Sequence, residues 1–220
     1  MRTYNQYCAL AKALDVIGER WTLLIVRELL AFGPARYTDL LHGLPGIATN
    51  LLADRLAMLE AEGIIYREEA PPPIATSLIH LTERGKALTP LMQELGHWGE
   101  TLLAEYDDDE FRTHWLVLPV RRYLEDHSPD RPPITIELRT GDRPLVIEVG
   151  SGEIRTTLAR VSQPDAVLGG PPDLIVGVLL GRLSLEEARE RGLEYEGDPE
   201  TLRRVQPGPT EAASERLSAR

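Results

Sequence analysis

Between Tyr37 and Leu81 the sequence sets down an order of segments that few folds accept. Tyr37 to Leu41 reads as a short helix, and Gly43-Leu44-Pro45-Gly46 as a turn. Ala48 to Glu62 follows as a longer helix, stopped by Gly63. Ile64, Tyr66 and Glu68 then alternate as a strand, and Ser77 to Leu81 as its return. Pro71-Pro72-Pro73 between them can be neither helix nor central strand. Two helices precede this core: Ala9 to Ile17, ended by Gly18, and Trp21 to Leu30, broken by Gly33-Pro34. Thr82 caps a last helix running towards Tyr106, which Pro90 bends or splits. Helix, helix, helix-turn-helix, hairpin, helix is the order of a winged helix-turn-helix domain.

The pattern changes class after an acidic run, Asp107 to Glu110, read as a solvated linker. Thr113 to Leu124 suits a helix interrupted by Pro119, and Pro129 to Pro133 is a break. The hydrophobic period then becomes two. Ile134-Ile136-Leu138 and Leu145-Ile147-Val149 flank Gly141-Asp142 as a hairpin, and Ile154 to Leu158 and Ala166 to Leu168 are weaker strands. Pro171-Pro172-Asp173 opens an apolar helix over Leu174 to Leu180. Ser184-Leu185-Glu186-Glu187 is a capping box, Leu193 to Glu196 a strand and Pro199 to Val205 a final helix. The expected fold class is α+β, with a winged helix over 1–106, a second domain over 107–208 and a disordered tail over 209–220.

Charge narrows the function. The chain carries −11, divided as −4 over residues 1–106 and −7 over residues 107–220, which argues against indiscriminate attraction to nucleic acid. DNA binding here needs a local basic patch. No apolar run approaches the roughly 18–20 residues of a membrane span, and no export signal opens the chain, so a cytoplasmic protein without membrane contact is expected. The single cysteine, Cys8, cannot form an internal disulfide. No phosphate loop or nucleophile elbow occurs, and the five histidines lack ligand spacing. Catalytic residues, metal and cofactor are therefore not expected.

The second helix of the motif has two faces. Leu52, Leu56 and Leu59 form the buried stripe, and Asn50, Asp54 and Ala57 point away, flanked by Thr49 and Ala53. Asn can pair with adenine and Thr can touch phosphate or a thymine methyl. Thr49 and Asn50 would equally serve as helix caps. Asp54 would repel phosphate and so reads a cytosine or points along the groove. Arg55 lies towards the core edge, suited to an ion pair inside the domain or to DNA. The remaining basic candidates are Arg36, where phosphates pass, Arg67 on the wing strand, and Arg84.

These residues resemble the HxlR-type bacterial transcription regulators. The likeness runs through Leu14-Asp15-Val16-Ile17-Gly18-Glu19-Arg20-Trp21-Thr22-Leu23-Leu24-Ile25, Arg27-Glu28-Leu29, Gly33-Pro34-Ala35-Arg36-Tyr37 and Leu44-Pro45-Gly46-Ile47. It continues in Leu52, Arg55-Leu56, Leu59-Glu60, Gly63-Ile64-Ile65, Leu81-Thr82-Glu83-Arg84-Gly85 and Trp98-Gly99-Glu100, covering about residues 8–105. The resemblance implies binding of double-stranded DNA by a homodimer joined through the first and last helices of the domain. At Asn50 the family often carries a basic residue, which this chain lacks. Cys8 sits where many such proteins have a cysteine that in part of the family senses oxidants; the alternative is a buried apolar residue.

Residues 113–205 resemble a sterol-carrier-protein-like domain. The likeness rests on Asp165-Ala166-Val167-Leu168, Pro172-Asp173-Leu174, Leu180-Gly181-Arg182-Leu183-Ser184 and Leu193-Glu194-Tyr195-Glu196-Gly197-Asp198. It implies a five-stranded sheet packed with helices around a site for a hydrophobic small molecule. Trp115, Leu116, Val120, Leu174, Ile175, Val178 and Leu179 are the candidate lining residues; as apolar side chains they suit plain core equally. The expected function is a DNA-binding regulator modulated by such a ligand. Two other readings stay open: a lipid-binding or structural protein with a vestigial winged helix, and a thiol switch acting through Cys8.

Overall fold

The computed structural model describes residues 3–69, 77–103 and 110–208. The chain divides into two compact units, Met1–Gly99 and Glu100–Arg220. Three expectations lie outside the described residues: the triple proline, the acidic join at 107–109 and the tail from 209. Among the described residues no helix is long and apolar enough to cross a membrane.

The first unit runs α1 (Ala9–Ile17), α2 (Thr22–Phe32), β1 (Ala35–Arg36), α3 (Tyr37–Gly43), α4 (Thr49–Ala61), β2 (Ile65–Glu69), β3 (Ser77–Leu81), α5 (Glu83–Lys86) and α6 (Thr89–Glu100). This is a winged helix-turn-helix. Ile25, Val26 and Leu29 of α2, Leu40 of α3, Leu52, Leu56 and Leu59 of α4, and Ile65 and Ile79 of the hairpin are buried together as its core. The wing pairs Ile65 with Leu81 through Glu69 with Ser77. Two-residue β1 adds to β3, an addition too short to have a sequence period, and the sheet order is β1-β3-β2.

Gly46 and Gly85 each hold a place in this unit that a side chain would disturb. Gly46, at φ 86°, turns the chain between α3 and α4 in a left-handed conformation that a Cβ disfavours. Gly85 of α5 lies against the Ile64 carbonyl so closely that a Cβ would collide with it. The cap at Thr82 locks the same corner: its Oγ accepts from the Gly85 N–H at 3.1 Å and donates to the Gly63 carbonyl at 2.6 Å. The helix expected from Glu83 towards Tyr106 is two helices. Pro90 occupies the first turn of α6, where a missing N–H costs nothing, so the chain breaks just before it. The second helix closes at Glu100.

The second unit opens with a 3₁₀ turn, Thr113–Leu116, followed by α7 (Val117–Tyr123) and β4 (Leu124–Asp126). Pro119 does not interrupt α7, because it sits in its first turn. Then come β5 (Ile134–Arg139), β6 (Leu145–Gly150), β7 (Glu153–Thr157), β8 (Ala166–Gly169), α8 (Pro172–Leu179), α9 (Leu185–Glu190), β9 (Glu194–Gly197), α10 (Pro199–Arg204) and β10 (Val205–Pro207). The main sheet has order β7-β6-β5-β8-β9, antiparallel except for the β5–β8 pair. Register lines Leu145, Leu138, Leu168 and Tyr195 into one buried apolar row. The Ser184 capping box is formed: its Oγ accepts from the Glu187 N–H at 3.1 Å, and the Glu187 carboxylate accepts from the Ser184 N–H at 2.9 Å.

The other sheet face carries a surprise. Glu137 is buried there, held by Arg139 Nε at 2.7 Å and by the Val161 N–H at 3.4 Å. The connection between β7 and β8 therefore crosses over that face. The two-stranded β4–β10 ribbon was also not legible in the sequence, where 124 and 205 end helices.

Candidate nucleic-acid interface

The exposed face of α4 is the one the sequence pattern indicates. Thr49, Asn50, Ala53, Asp54 and Ala57 are exposed, and Leu52, Leu56 and Leu59 are buried on the opposite side. Ala48, not Thr49 or Asn50, occupies the N-cap position, so the capping alternative for those two residues does not describe the structure. The Tyr37 hydroxyl donates to the Thr49 carbonyl at 2.7 Å and so ties α3 to the first turn of α4. All of the outward side chains on this face are short. A helix dressed this way can bring its backbone close to base edges.

The basic candidates are placed very differently from one another. Arg55 turns inward: its Nη2 meets Glu19 Oε2 at 2.9 Å, and its Nε donates to the Arg20 carbonyl at 3.3 Å. It joins α4 to the turn between α1 and α2 and is occupied inside the domain. Arg67 of β2 meets Glu60 Oε2 of α4 at 3.1 Å, because it follows Ile65 on the face of the strand that looks towards α4. Arg84 donates from Nη1 to the Glu62 carbonyl at 2.6 Å, at the C-terminal end of α4, where a cation is favoured. Arg36 stands alone among the four. It is the N-cap residue of α3, exposed, with its own N–H bonded to Asp39 Oδ2 at 3.0 Å and its guanidinium in no ion pair among the described residues.

Among the exposed or stacked groups of this unit, the sequence reading did not select Arg20, Tyr66 and His80 as site residues. Arg20 is exposed, its guanidinium 5.8 Å from the centre of the Trp21 ring. Tyr66 and His80 face each other across the wing as a stacked pair, ring centres 4.8 Å apart, with Glu68 Oε2 3.2 Å from His80 Nε2. The alternation of β2 already places Tyr66 and Glu68 on one face, but only the β2–β3 register brings His80 opposite them.

Cys8 is the N-cap residue of α1 and is exposed, so burial as a small apolar side chain does not describe it. The nearest basic side chain in sequence, Lys12, lies 3.6 Å from Asp15 Oδ2. In the second unit, Leu116, Val120, Leu174, Ile175, Val178 and Leu179 are buried and Trp115 is half-buried, edge-on to Phe111. Leu116 and Val120 come from the 3₁₀ turn and α7, and the other four buried residues from α8.

Comparison with known proteins agrees with this geometry. The HxlR-like helix-turn-helix family matches residues 16–107. Over 87 residues the chain is 37% identical to the uncharacterised HTH-type transcriptional regulator YvaP of Bacillus subtilis (strain 168), covering 40% of this chain and 80% of that protein. It is 33% identical over 97 residues to the HTH-type transcriptional regulator YodB of the same organism, covering 44% and 86%. It is also 35% identical over 101 residues to the uncharacterised HTH-type transcriptional regulator sll1512 of Synechocystis sp. (strain ATCC 27184 / PCC 6803 / Kazusa), covering 44% and 72%. The matched stretch holds α4, the wing and their supporting helices, and the chain belongs to the HxlR-like helix-turn-helix family as a DNA-binding transcriptional regulator.

Proposed function

We propose that the protein binds a two-fold symmetric operator as a homodimer, with α4 of each protomer in the major groove. The observation that carries this is the outward face of α4, short and exposed over Thr49, Asn50, Ala53, Asp54 and Ala57, with the leucine stripe holding it rigid from behind. Thr49 and Asn50 make base or phosphate contacts, and Arg36 meets a phosphate where the duplex passes the start of α3. Arg67 and Arg84 brace the wing and the end of α4 and reach DNA only by exchanging their present partners. Arg55 is a positioning residue for α4. Dimer contact uses α6, where Leu91, Leu95 and Trp98 are exposed at a spacing that puts them on one side of the helix, together with Leu10 and Leu14 on α1. Half-sites then lie about one duplex turn, ~34 Å, apart.

The test is salt-dependent binding to duplexes from upstream of the protein's own gene. Arg36→Ala is expected to weaken binding to every sequence by a similar factor and to lower the salt slope by about 1, as loss of one phosphate contact does. Binding that is indifferent to salt, or a slope unchanged in Arg36→Ala, overturns the assignment of Arg36.

The second unit, residues 107–208 in our division, is proposed to be a sterol-carrier-like domain that modulates DNA binding through a hydrophobic ligand. Its support is a five-stranded sheet packed with helices, and the buried apolar sides of α7 and α8. A ligand that binds only the folded state raises its stability by about 2.7 kcal/mol at a hundred times the dissociation constant. Palmitate, a C15 isoprenoid and a polycyclic aromatic should be titrated into the full chain. At least one is expected to raise the melting temperature and change operator affinity; no shift across the series removes the ligand and leaves the DNA reading standing.

A further inference from the structure

Asp54 is the one feature of the DNA-facing surface that electrostatics would not choose. It is exposed on the outer face of α4 and forms no ion pair or hydrogen bond among the described residues. Nothing on that face compensates it, since Thr49, Asn50, Ala53 and Ala57 carry no charge. Arg55, the only basic residue of α4, is turned away to Glu19. A bare carboxylate carried towards a polyanion raises the free energy of every complex in which it finds no donor. The winged-helix half is already at −4, so non-specific attraction is weak before this group is counted.

We propose that Asp54 is a specificity residue that admits, at one position of each half-site, only a base carrying a major-groove amino group. An ionised carboxylate only accepts hydrogen bonds. In the major groove cytosine offers its N4 amino group and adenine its N6 amino group, whereas guanine and thymine offer oxygen acceptors to a side chain approaching their edges. A carboxylate at the base edge therefore bonds cytosine or adenine and is repelled by guanine and thymine. Its reach is short, and the neighbouring Ala53 and Ala57 have only methyl groups, so the helix can come close enough for it to make contact. Asn50, four residues earlier and of the same length, reaches to the same depth. Four residues rise about 6 Å along the helix, against ~3.4 Å per base pair, so the two side chains address positions about two steps apart. The half-site then contains an adenine met by Asn50 and, near that spacing, a cytosine or adenine met by Asp54. With little phosphate attraction, discrimination comes from the penalty on wrong bases as much as from the reward for right ones.

This inference rests on the DNA-binding reading, and the experiment separates the two. The full-length protein, Asp54→Ala and Asp54→Asn are each used to select from a randomised duplex library, and affinities are then measured on the selected site with each base at each position. Wild type is expected to disfavour guanine and thymine roughly tenfold or more at one position. Asp54→Ala should lose that preference, keep the others, and bind mixed-sequence DNA several-fold more tightly. Asp54→Asn, equal in shape but neutral, should also bind mixed-sequence DNA more tightly, and should move the preference towards adenine, which an amide can meet with both donor and acceptor. Identical preferences in all three proteins overturn the role of Asp54 while leaving DNA binding intact. Failure of wild type to enrich any sequence overturns the underlying reading instead.

Discussion

Replacing Leu95 and Trp98 together with glutamate is expected to leave the protomer folded and to lower affinity for a two-half-site operator by about 10²–10⁴-fold. The folded state tolerates the change because Leu95 is 44% and Trp98 65% exposed, so little of the protomer's own core depends on them. The same side chains, with Leu91, make the apolar stripe of α6 that a second copy would cover. Two carboxylates placed in that seam must be desolvated without partners, which costs several kcal/mol and exceeds what a modest dimer interface supplies. Once the protomers separate, each half-site is bound alone, and the effective concentration that one bound α4 confers on the other is lost. Sedimentation analysis reads the mass, and fluorescence anisotropy on duplexes with one and two half-sites reads the affinity. The one-half-site value should be unaltered while the two-half-site value collapses towards it. A variant that remains dimeric at micromolar concentration would move the dimer surface away from α6.

Arg204→Met is expected to destabilise the second unit by about 3–5 kcal/mol, a large share of the 5–15 kcal/mol that holds a typical domain together. Arg204 and Asp126 form a buried two-pronged pair, Nε to Oδ1 at 2.8 Å and Nη2 to Oδ2 at 3.0 Å. Arg204 also donates from Nη1 to the Pro132 carbonyl at 2.6 Å. Asp126 in turn accepts the Ser128 N–H at 3.0 Å and the Gly152 N–H at 3.3 Å. One pair thus gathers β4, the loop before β5, the β6–β7 turn and the end of α10. Methionine keeps the volume but leaves the carboxylate enclosed without its cation, which is the costly case.

The pair also has a pH signature. Hydrogen bonding from Arg204, followed by the backbone donors, holds the Asp126 carboxyl down to about 2. Its folded value lies below the roughly 3.9 of an unfolded aspartate, so its stabilising contribution is complete above pH ~4 and fades as the pH falls towards 2. In Arg204→Met the largest cause of the depression is gone, so less of this acid-linked stability remains to be lost, and the gap between the two proteins should narrow as the pH falls towards 2. Urea unfolding of the full chain between pH 2 and 7 checks both statements. A wild-type midpoint and pH profile in the variant would show that the pair holds nothing together.

The helices of the winged unit were legible because their signals are local. A leucine stripe, a glycine stop, a threonine cap and a proline that breaks a helix each act within a few residues, and α1, α3, α4 and the β2–β3 hairpin lie where those signals put them. The β5–β6 hairpin was legible for the same reason, from alternation and a Gly-Asp turn. Where two local signals coincide the sequence reads less well: Pro90 and Pro119 permit either a kink or a first turn, and the structure uses the first turn in both.

Side-chain partnership belongs to a different range. Which face of α4 is outward follows from a period of 3.6 residues, so the candidate surface could be read from residues 49–57 alone. Whether a given arginine is free on that surface could not. Arg55 is taken by Glu19, 36 residues away, and Arg204 by Asp126, 78 residues away; Arg36, no different in composition, is left exposed. The three-residue strands β4 and β10 lie side by side with that distant pair at the end of their ladder, where Asp126 pairs with Val205 next to Arg204. Backbone preference and hydrophobic period are properties of a stretch of chain, and the sequence alone determined them here. The choice of charged partner depends on which surfaces the packed elements bring within about 3 Å of each other, and that was decided only when the tertiary structure formed.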